Sequence, residues 1–324
     1  MQNDVKGKRV VVIGGGTGLS TMLKGLKAYT SEITAIVTVA DNGGSSGKIR
    51  EEMGIMPPGD IRNCLVALAN TEPIMEKLLQ YRFTEGSMQG QNFGNLLIAT
   101  LAEITGSFEE AVHVTSNVLA ITGKVLPVTL EDVHLHARFE DGQAITGETE
   151  IVEYGKNNET NICHIELNPQ LPEANHEVLK AISKADRIIL GPGSLYTSII
   201  PNLLVKDISE AIKKAAAKKI YIANIMTQPG ETSKLSLEEH IEILECYLGK
   251  DILDTVIVNS ETVSKRQMKE YEEEGAVLLK ADKDHPVWQR IKRIEVPLIK
   301  IHEKQKLIRH DPKKLAACLF EMRD

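Results

Sequence analysis

Val10-Val11-Val12-Ile13-Gly14-Gly15-Gly16-Thr17-Gly18 runs from β-branched residues straight into glycines, and a helical pattern follows from 20 to about 29. The order is strand, glycine loop, helix. A second apolar run, 33–40 (ITAIVTVA), ends in another glycine loop, Asp41-Asn42-Gly43-Gly44-Ser45-Ser46-Gly47. Continuous apolar strands separated by helices predict a parallel sheet covered on both faces. Pro57-Pro58-Gly59 turns the chain into a helical section from 60 to about 118. The rhythm returns later with a strand at 187–190, the loop Gly191-Pro192-Gly193-Ser194 and a helix at 206–218. Strands at 219–225 and 255–258, a highly charged helix at 265–274 and a terminal helix at 309–323 follow. Asp311 is the expected cap of that last helix and Pro312 its first residue.

Between 124 and 167 the texture changes to alternation, as in Val133-His134-Leu135-His136-Ala137-Arg138-Phe139, with Asp141-Gly142 as a hairpin turn. This predicts a small antiparallel β insertion over 124–167. The fold expected is therefore α/β: an open, mostly parallel sheet with helices on both faces and that insertion, in a single domain over 1–324. A length of 324 residues suits one large domain or two intimate ones, against a soft prior of ~150 per domain.

Composition narrows the function. Hydrophobic residues make up 42% and charged residues 26%, which is ordinary for a globular protein and excludes disorder, collagen and a coiled-coil rod. With Lys+Arg 38 and Asp+Glu 45 the formal net charge is −7, which argues against nucleic acid as a partner. Backbone N–H groups can still bind a small anion. Cys64, Cys163, Cys246 and Cys318 are scattered and form no CxxC pair, so a reducing cytoplasm fits. No apolar run reaches the ~18 residues of a membrane span, and the charged start, Met1 to Lys8, has no signal-peptide core.

All three glycine loops fall at strand carboxyl ends, where open α/β sheets bind ligands. Gly15, Gly16, Thr17 and Gly18 offer close backbone approach and a helix N-terminus to a phosphate. The dinucleotide fingerprint G-x-G-x-x-G fails by one residue, because Leu19 replaces its third glycine. In the second loop Gly47-Lys48 resembles a P-loop, but Asn42 and Ile49 break the pattern. What survives there is a carboxylate, an amide and two hydroxyls: Asp41, Asn42, Ser45 and Ser46. Gly191, Gly193 and Ser194 form the third loop; its plain alternative is a βα turn capped by Ser194. Asn92 and Asn95 open a helix, one as cap and one free to bind. His134 and His136 share a strand face without a third ligand nearby in sequence, so a surface strand is favoured over a metal pair. Glu272-Glu273-Glu274 reads as a solvated helix face.

Seven stretches together resemble the YvcK-type gluconeogenesis factors: VVIGGGTGLS (11–20), ITAIVTVADNGGSSG (33–47), PPGDIRN (57–63), GPGSLYTSIIPNLL (191–204), MTQPGET (226–232), VNS (258–260) and RHD (309–311). That branch is similar to the CofD phospholactate transferases of deazaflavin-coenzyme synthesis. The resemblance covers nearly the whole chain. It implies a Rossmann-like core and a cytoplasmic bacterial factor needed for growth and cell shape on gluconeogenic carbon. The implied ligand is a UDP-sugar, UDP-N-acetylglucosamine or UDP-glucose, with GDP or NAD as alternatives, no required cofactor and Mg2+ left open. The implied partner is an enzyme of cell-wall precursor synthesis, and a homo-oligomer is left open. A CofD-like transferase using a nucleotide-diphosphate-linked donor, with Asp41 and Asn42 as best catalytic candidates, is the alternative function. A NAD-binding oxidoreductase is the third. The branch usually has Asp-Asp before Gly-Gly-Ser-Ser, whereas this chain has Asp41-Asn42, which weakens any metal-holding capacity. Carried over residue by residue, the first and third glycine loops flank the diphosphate. Asp41 and Asn42 face the sugar or acceptor end, Asn259 ends a strand at the same rim, and Tyr271 and Arg309 are further contacts. Tyr271 can stack on a base or sugar, and Arg309 can clamp a phosphate.

Overall fold

The computed structural model describes residues 7–302 and 307–322. The expectation about the chain's start falls mainly on 1–6, and the expected last residue of the terminal helix is 323; both lie outside the described residues. The strands are β1 (Val10–Gly14), β2 (Ile33–Val37), β3 (Lys124–Pro127), β4 (His134–Phe139), β5 (Ala144–Thr146) and β6 (Ile162–Asn168). They continue as β7 (Arg187–Leu190), β8 (Lys218–Ile222), β9 (Thr255–Asn259), β10 (Lys292–Val296), β11 (Ile299–His302) and β12 (Leu307–His310).

Seven of them form one parallel sheet in the order β10-β9-β8-β7-β1-β2-β3. Every residue of β1 and of β9 is buried, which explains their unbroken Val/Ile runs: a strand covered on both faces has no polar side to show. β1 pairs with β2 on one side (Val10↔Ile33) and with β7 on the other (Val10↔Arg187). The chain order therefore runs outward in opposite directions from the β1–β7 pair. That is a topological switch point, and it opens a crevice at the carboxyl ends of those two strands.

The helix Gly16–Leu26 follows β1 and buries Leu19, Met22, Leu23 and Leu26 at helical spacing against the sheet and its neighbours. The antiparallel sheet has the order β5-β4-β6, and Gly142, with φ +87°, makes the expected turn. It begins later than 124. Lys124–Pro127 pairs parallel with β2 as the edge of the main sheet. An edge strand buries alternate residues, so its pattern mimics an antiparallel one. The insertion also carries a helix, Glu148–Asn158, that packs Tyr154 against Phe139 with ring centroids 4.9 Å apart.

Near the end of the chain, Arg309 lies in β12, paired antiparallel with β11, rather than opening a helix. The last helix is Pro312–Glu321, and the Asp311 carboxylate accepts from the N–H groups of Lys313 and Lys314 at 2.8 and 3.2 Å. The helix expected at 206–218 is Ile208–Lys214, since Lys218 already starts β8. No helix among the described residues is long and apolar enough to cross a membrane.

Candidate functional site

A cavity of about 420 Å³ sits at the switch point. Its sheet side is Gly15, Gly16, Thr17 and Gly18 after β1, and Pro192, Gly193, Ser194 and Ser198 after β7. Asn224 to Pro229, the segment after β8, closes a flank. The far wall comes from the last quarter of the chain: Tyr271, Glu274, Ala276 and Leu307 to His310.

The first loop is built for close approach. Gly16 has φ +67°, which disfavours any side chain, and its N–H donates to Asp60 Oδ2 at 2.7 Å. A Cβ there would meet nothing nearer than Ser198 Oγ at 3.8 Å, so the position faces open space. At Gly18 a Cβ would stand 2.5 Å from the Pro192 carbonyl, so the two loops touch only because that side chain is missing. The second loop is fastened by amides. Asn224 accepts from the Gly193 N–H at 3.1 Å and donates to the Gly193 carbonyl at 2.8 Å. Asn224 also donates to Gln228 Oε1 at 3.1 Å, and Gln228 Nε2 donates to Ser194 Oγ at 2.5 Å. Ser194 is thus held by Gln228, and its side chain does not cap the following helical turn.

The charge is divided. Arg309, half-buried in the cavity wall, makes a 3.3 Å bond to the Ile308 carbonyl and has no ion pair among the described residues. Tyr271 accepts from the Ile308 N–H at 2.8 Å, and its ring joins an apolar cluster with Met226, Met268 and Ile308. The tyrosine therefore fixes β12, and with it Arg309. Glu272, Glu273 and Glu274 are exposed, and Glu274 reaches the cavity rim.

Behind the first loop lie three acids, Asp60 and Glu148 half-buried and Glu231 buried. Burial, then the nearby Asp41 charge, raises Asp60 to about 6. Burial raises Glu231 to about 7, although it accepts from Thr197 Oγ1 at 3.4 Å; its Oε2 has no partner. Glu148 is also raised, by burial first and then by Asp41, Asp60 and Glu231. All three are held above the ordinary carboxylate range, and none of them lines the cavity.

Eight expected residues meet at the cavity: Gly15, Gly16, Thr17, Gly18, Gly193, Ser194, Tyr271 and Arg309. Gly191 lies just behind, in the turn after β7 with φ +78°. The remaining residues are not in its wall. Asp41 Oδ1 accepts from the Gly43 N–H at 2.8 Å. Asn42 accepts from the Thr149 N–H at 3.0 Å and donates to Glu150 Oε2 at 2.7 Å, so it ties the loop to the insertion helix. Ser45 Oγ donates to Gln91 at 2.7 Å and accepts from the Asn92 N–H at 3.0 Å. Ser46 is buried beside Gly59. Asn92 caps the helix Phe93–Thr105 through the Asn95 N–H at 3.1 Å, and Asn95 keeps an unpartnered buried Oδ1. Asn259 accepts from the N–H groups of Glu261 and Leu298 and donates to the Glu261 carbonyl, so its amide bonds the protein's own backbone. His134 and His136 share one half-buried face of β4, and His136 Nδ1 is 2.8 Å from Thr146 Oγ1. Among the described residues no three His, Cys, Asp or Glu side chains gather as a metal-binding group.

Asn224, Gln228, Ser198 and His310 were not singled out from sequence. Asn224 follows β8 directly, so the carboxyl-end rule could have found it. Gln228 and His310 lie inside the stretches 226–232 and 309–311.

The family model for 2-phospho-L-lactate transferase CofD matches residues 10–299. A gluconeogenesis-factor homologue of Thermoanaerobacterium thermosulfurigenes is 52% identical over 316 residues, covering 98% of this chain and 97% of that one. The gluconeogenesis factor of Bacillus subtilis is 45% identical over 318 residues, covering 97% and 98%. The crystal structure of a UPF0052-family protein from Bacillus halodurans superimposes with a TM-score of 0.92 at 42% identity, covering 97% of this chain and all of that one. The chain belongs to the CofD family, and within it to the group whose curated members carry the name gluconeogenesis factor.

Proposed function

We propose that the cavity binds a nucleotide-diphosphate sugar of the UDP-N-acetylglucosamine or UDP-glucose kind. The protein then acts as a gluconeogenesis factor that couples this ligand to carbon flow into cell-wall precursors in the cytoplasm. One observation carries the reading: Arg309, without an ion pair among the described residues, shares a cavity with a glycine loop at a helix N-terminus, in a chain of net charge −7. A cation facing a glycine loop and a helix N-terminus across one space favours an anion, and a diphosphate spans both. The names of the relatives support the gluconeogenesis-factor role.

A transferase acting on a nucleotide-diphosphate-linked donor is the second reading. It is favoured by the family's description and by carboxyls behind the loop that are raised toward neutral pH, as suits an acid–base catalyst. Those carboxyls stand outside the cavity wall, which favours binding over turnover. The bonds that Asn42 makes to the insertion helix speak against a divalent cation held between Asp41 and Asn42. The NAD reading lacks its ribose acid, since Asp41 is outside the wall, and its fingerprint, since Leu19 is buried in the core.

Thermal unfolding with UDP-N-acetylglucosamine, UDP-glucose, GDP and NAD tests the proposal. A ligand at 100 times its Kd adds about 2.7 kcal/mol of stability. Stabilisation by the UDP-sugars is expected. Stabilisation by NAD alone overturns the reading, and sustained release of UDP or a nucleoside monophosphate favours the transferase.

A further inference from the structure

Arg309 shares its wall of the cavity with a carboxylate, Glu274. Glu274 is exposed and makes no hydrogen bond or ion pair among the described residues, so its oxygens are open to whatever fills the cavity. Its place is fixed by backbone. It follows the helix Lys265–Glu273 directly, where the Gly275 N–H donates to the Glu272 carbonyl at 3.0 Å and the Ala276 N–H to the Tyr271 carbonyl at 2.8 Å, the paired bonds that lock a helix end. That end of a helix carries partial negative charge and favours a cation. Here the last turn, 270–273, holds no basic residue, and a carboxylate follows it. A local rule broken without local gain points to a residue kept for another purpose. The cavity is therefore polarised: one wall brings a helix N-terminus behind the first glycine loop, and the other brings a helix C-terminus and Glu274.

We propose that Glu274 makes the cavity select an esterified diphosphate, as in a nucleotide sugar, over a nucleotide that ends in a free phosphate. The inference rests on the nucleotide reading of the cavity and adds a specificity-determining residue to it. A phosphate held between two ester bonds carries one negative charge, whereas a terminal phosphate carries about −1.5 to −2 at neutral pH. A volume of about 420 Å³ is that of a cube about 7.5 Å on an edge, less than the ~10 Å screening length in 0.1 M salt. No phosphate inside the cavity escapes the field of Glu274. At such a separation each added charge weakens binding by roughly three- to thirtyfold, depending on how much water intervenes. Sugar hydroxyls can donate to the carboxylate, whereas a phosphate oxygen is an acceptor and is repelled.

The test is calorimetric titration of UDP-N-acetylglucosamine, UDP and the methyl ester of UDP at its terminal phosphate into the parent, Glu274→Gln and Glu274→Lys, with a chelator present so that no divalent cation masks the phosphates. The methyl ester has the charge of a UDP-sugar without the sugar, so its comparison with UDP isolates the added charge. The ratio of the UDP Kd to the methyl-ester Kd should fall roughly three- to thirtyfold from the parent to Glu274→Gln, and further in Glu274→Lys. In 1 M salt, where the screening length is ~3 Å, that fall should nearly vanish, which a steric role of the side chain would not produce. Both variants should fold, because Glu274 is exposed and its carboxylate stands at the unfavourable end of a helix. A ratio within about twofold of the parent's in both variants, or a fall that is as large in 1 M salt, overturns the inference alone. Failure of the parent to bind UDP-N-acetylglucosamine overturns the functional reading and this inference with it.

Discussion

The two walls of the cavity are made differently. The sheet wall hangs on fully buried strands, and its loops are locked by Asn224 and Gln228. It presents mostly backbone. The far wall hangs on a two-stranded hairpin and a charged helix, joined through the Tyr271 hydroxyl and the apolar cluster around it, and presents the charge. Shape comes from the rigid side, the sign of the charge from the lighter side. A ligand bridging both should fasten the hairpin to the sheet, so variants of the two walls should fail in distinct ways.

The largest effect is expected at the rigid wall. Gly16→Val places a branched side chain at φ +67°, where an L residue loses ~1–2 kcal/mol, and aims it into the cavity. UDP-sugar affinity should fall by roughly a hundredfold or more, about 3 kcal/mol, with a stability loss of about 1–2 kcal/mol in urea. Unchanged affinity in a titration would reduce the loop to a turn. Next is the light wall. Arg309→Ala should lose a charge-assisted bond of roughly 1.5–3 kcal/mol, hence about ten- to hundredfold in affinity, with little change in ligand-free stability. The loss should shrink at high salt, where the parent also weakens.

Tyr271→Phe keeps the ring and removes the anchor on Ile308. With about 1 kcal/mol at stake, affinity should fall roughly fivefold, and hydrogen exchange should speed up in β12 before the sheet changes. A loss as large as that of Arg309→Ala would mean the hydroxyl touches the ligand itself.

The smallest effect on binding is expected behind both walls. Glu231→Gln should change affinity by less than about twofold. Its signature is in stability. Glu231 is raised from 4.5 to about 7 in the fold, so the folded chain binds its proton more tightly than the unfolded chain does. Its contribution is therefore greatest below about pH 4.5 and is lost as pH rises to about 7. Gln cannot ionise, so the variant should lose less stability between pH 5 and 8, and at pH 8 should exceed the parent by on the order of 1–3 kcal/mol. A parallel pH profile in urea unfolding would show that Glu231 is not desolvated as described.

The same contrast governs how much could be read from sequence. The rigid wall announces itself locally: Val10 to Gly18 is a buried strand, a loop that only glycine can form and a helix, and period and composition suffice. The far wall has no such signal. Tyr271 reads as a helix-surface tyrosine, and Arg309 as a solvated residue before the last helix, so only family resemblance picked them out. β12 was hidden because a short hairpin strand beside Asp311-Pro312 looks like the start of the helix those residues do cap. Asn42, Asn92 and Asn259 show the opposite difficulty. An amide at a loop or strand end has the same sequence signature whether it bonds a ligand or the protein's own backbone, and in these three the backbone or a neighbouring carboxylate takes it. The second glycine loop likewise keeps its hydroxyl and amide groups for internal bonds. Distinguishing those outcomes needs three-dimensional partners that lie far along the chain, such as Glu150 for Asn42 and Leu298 for Asn259.

A crystal structure of the protein grown with UDP-N-acetylglucosamine tests most directly whether one cavity made by both walls holds a nucleotide diphosphate. The account predicts the diphosphate between the loop of Gly16 to Gly18 and the Arg309 guanidinium, each within hydrogen-bond distance of a phosphate oxygen. A nucleotide bound elsewhere, or one held by the glycine loops with Arg309 still on the Ile308 carbonyl, would contradict it.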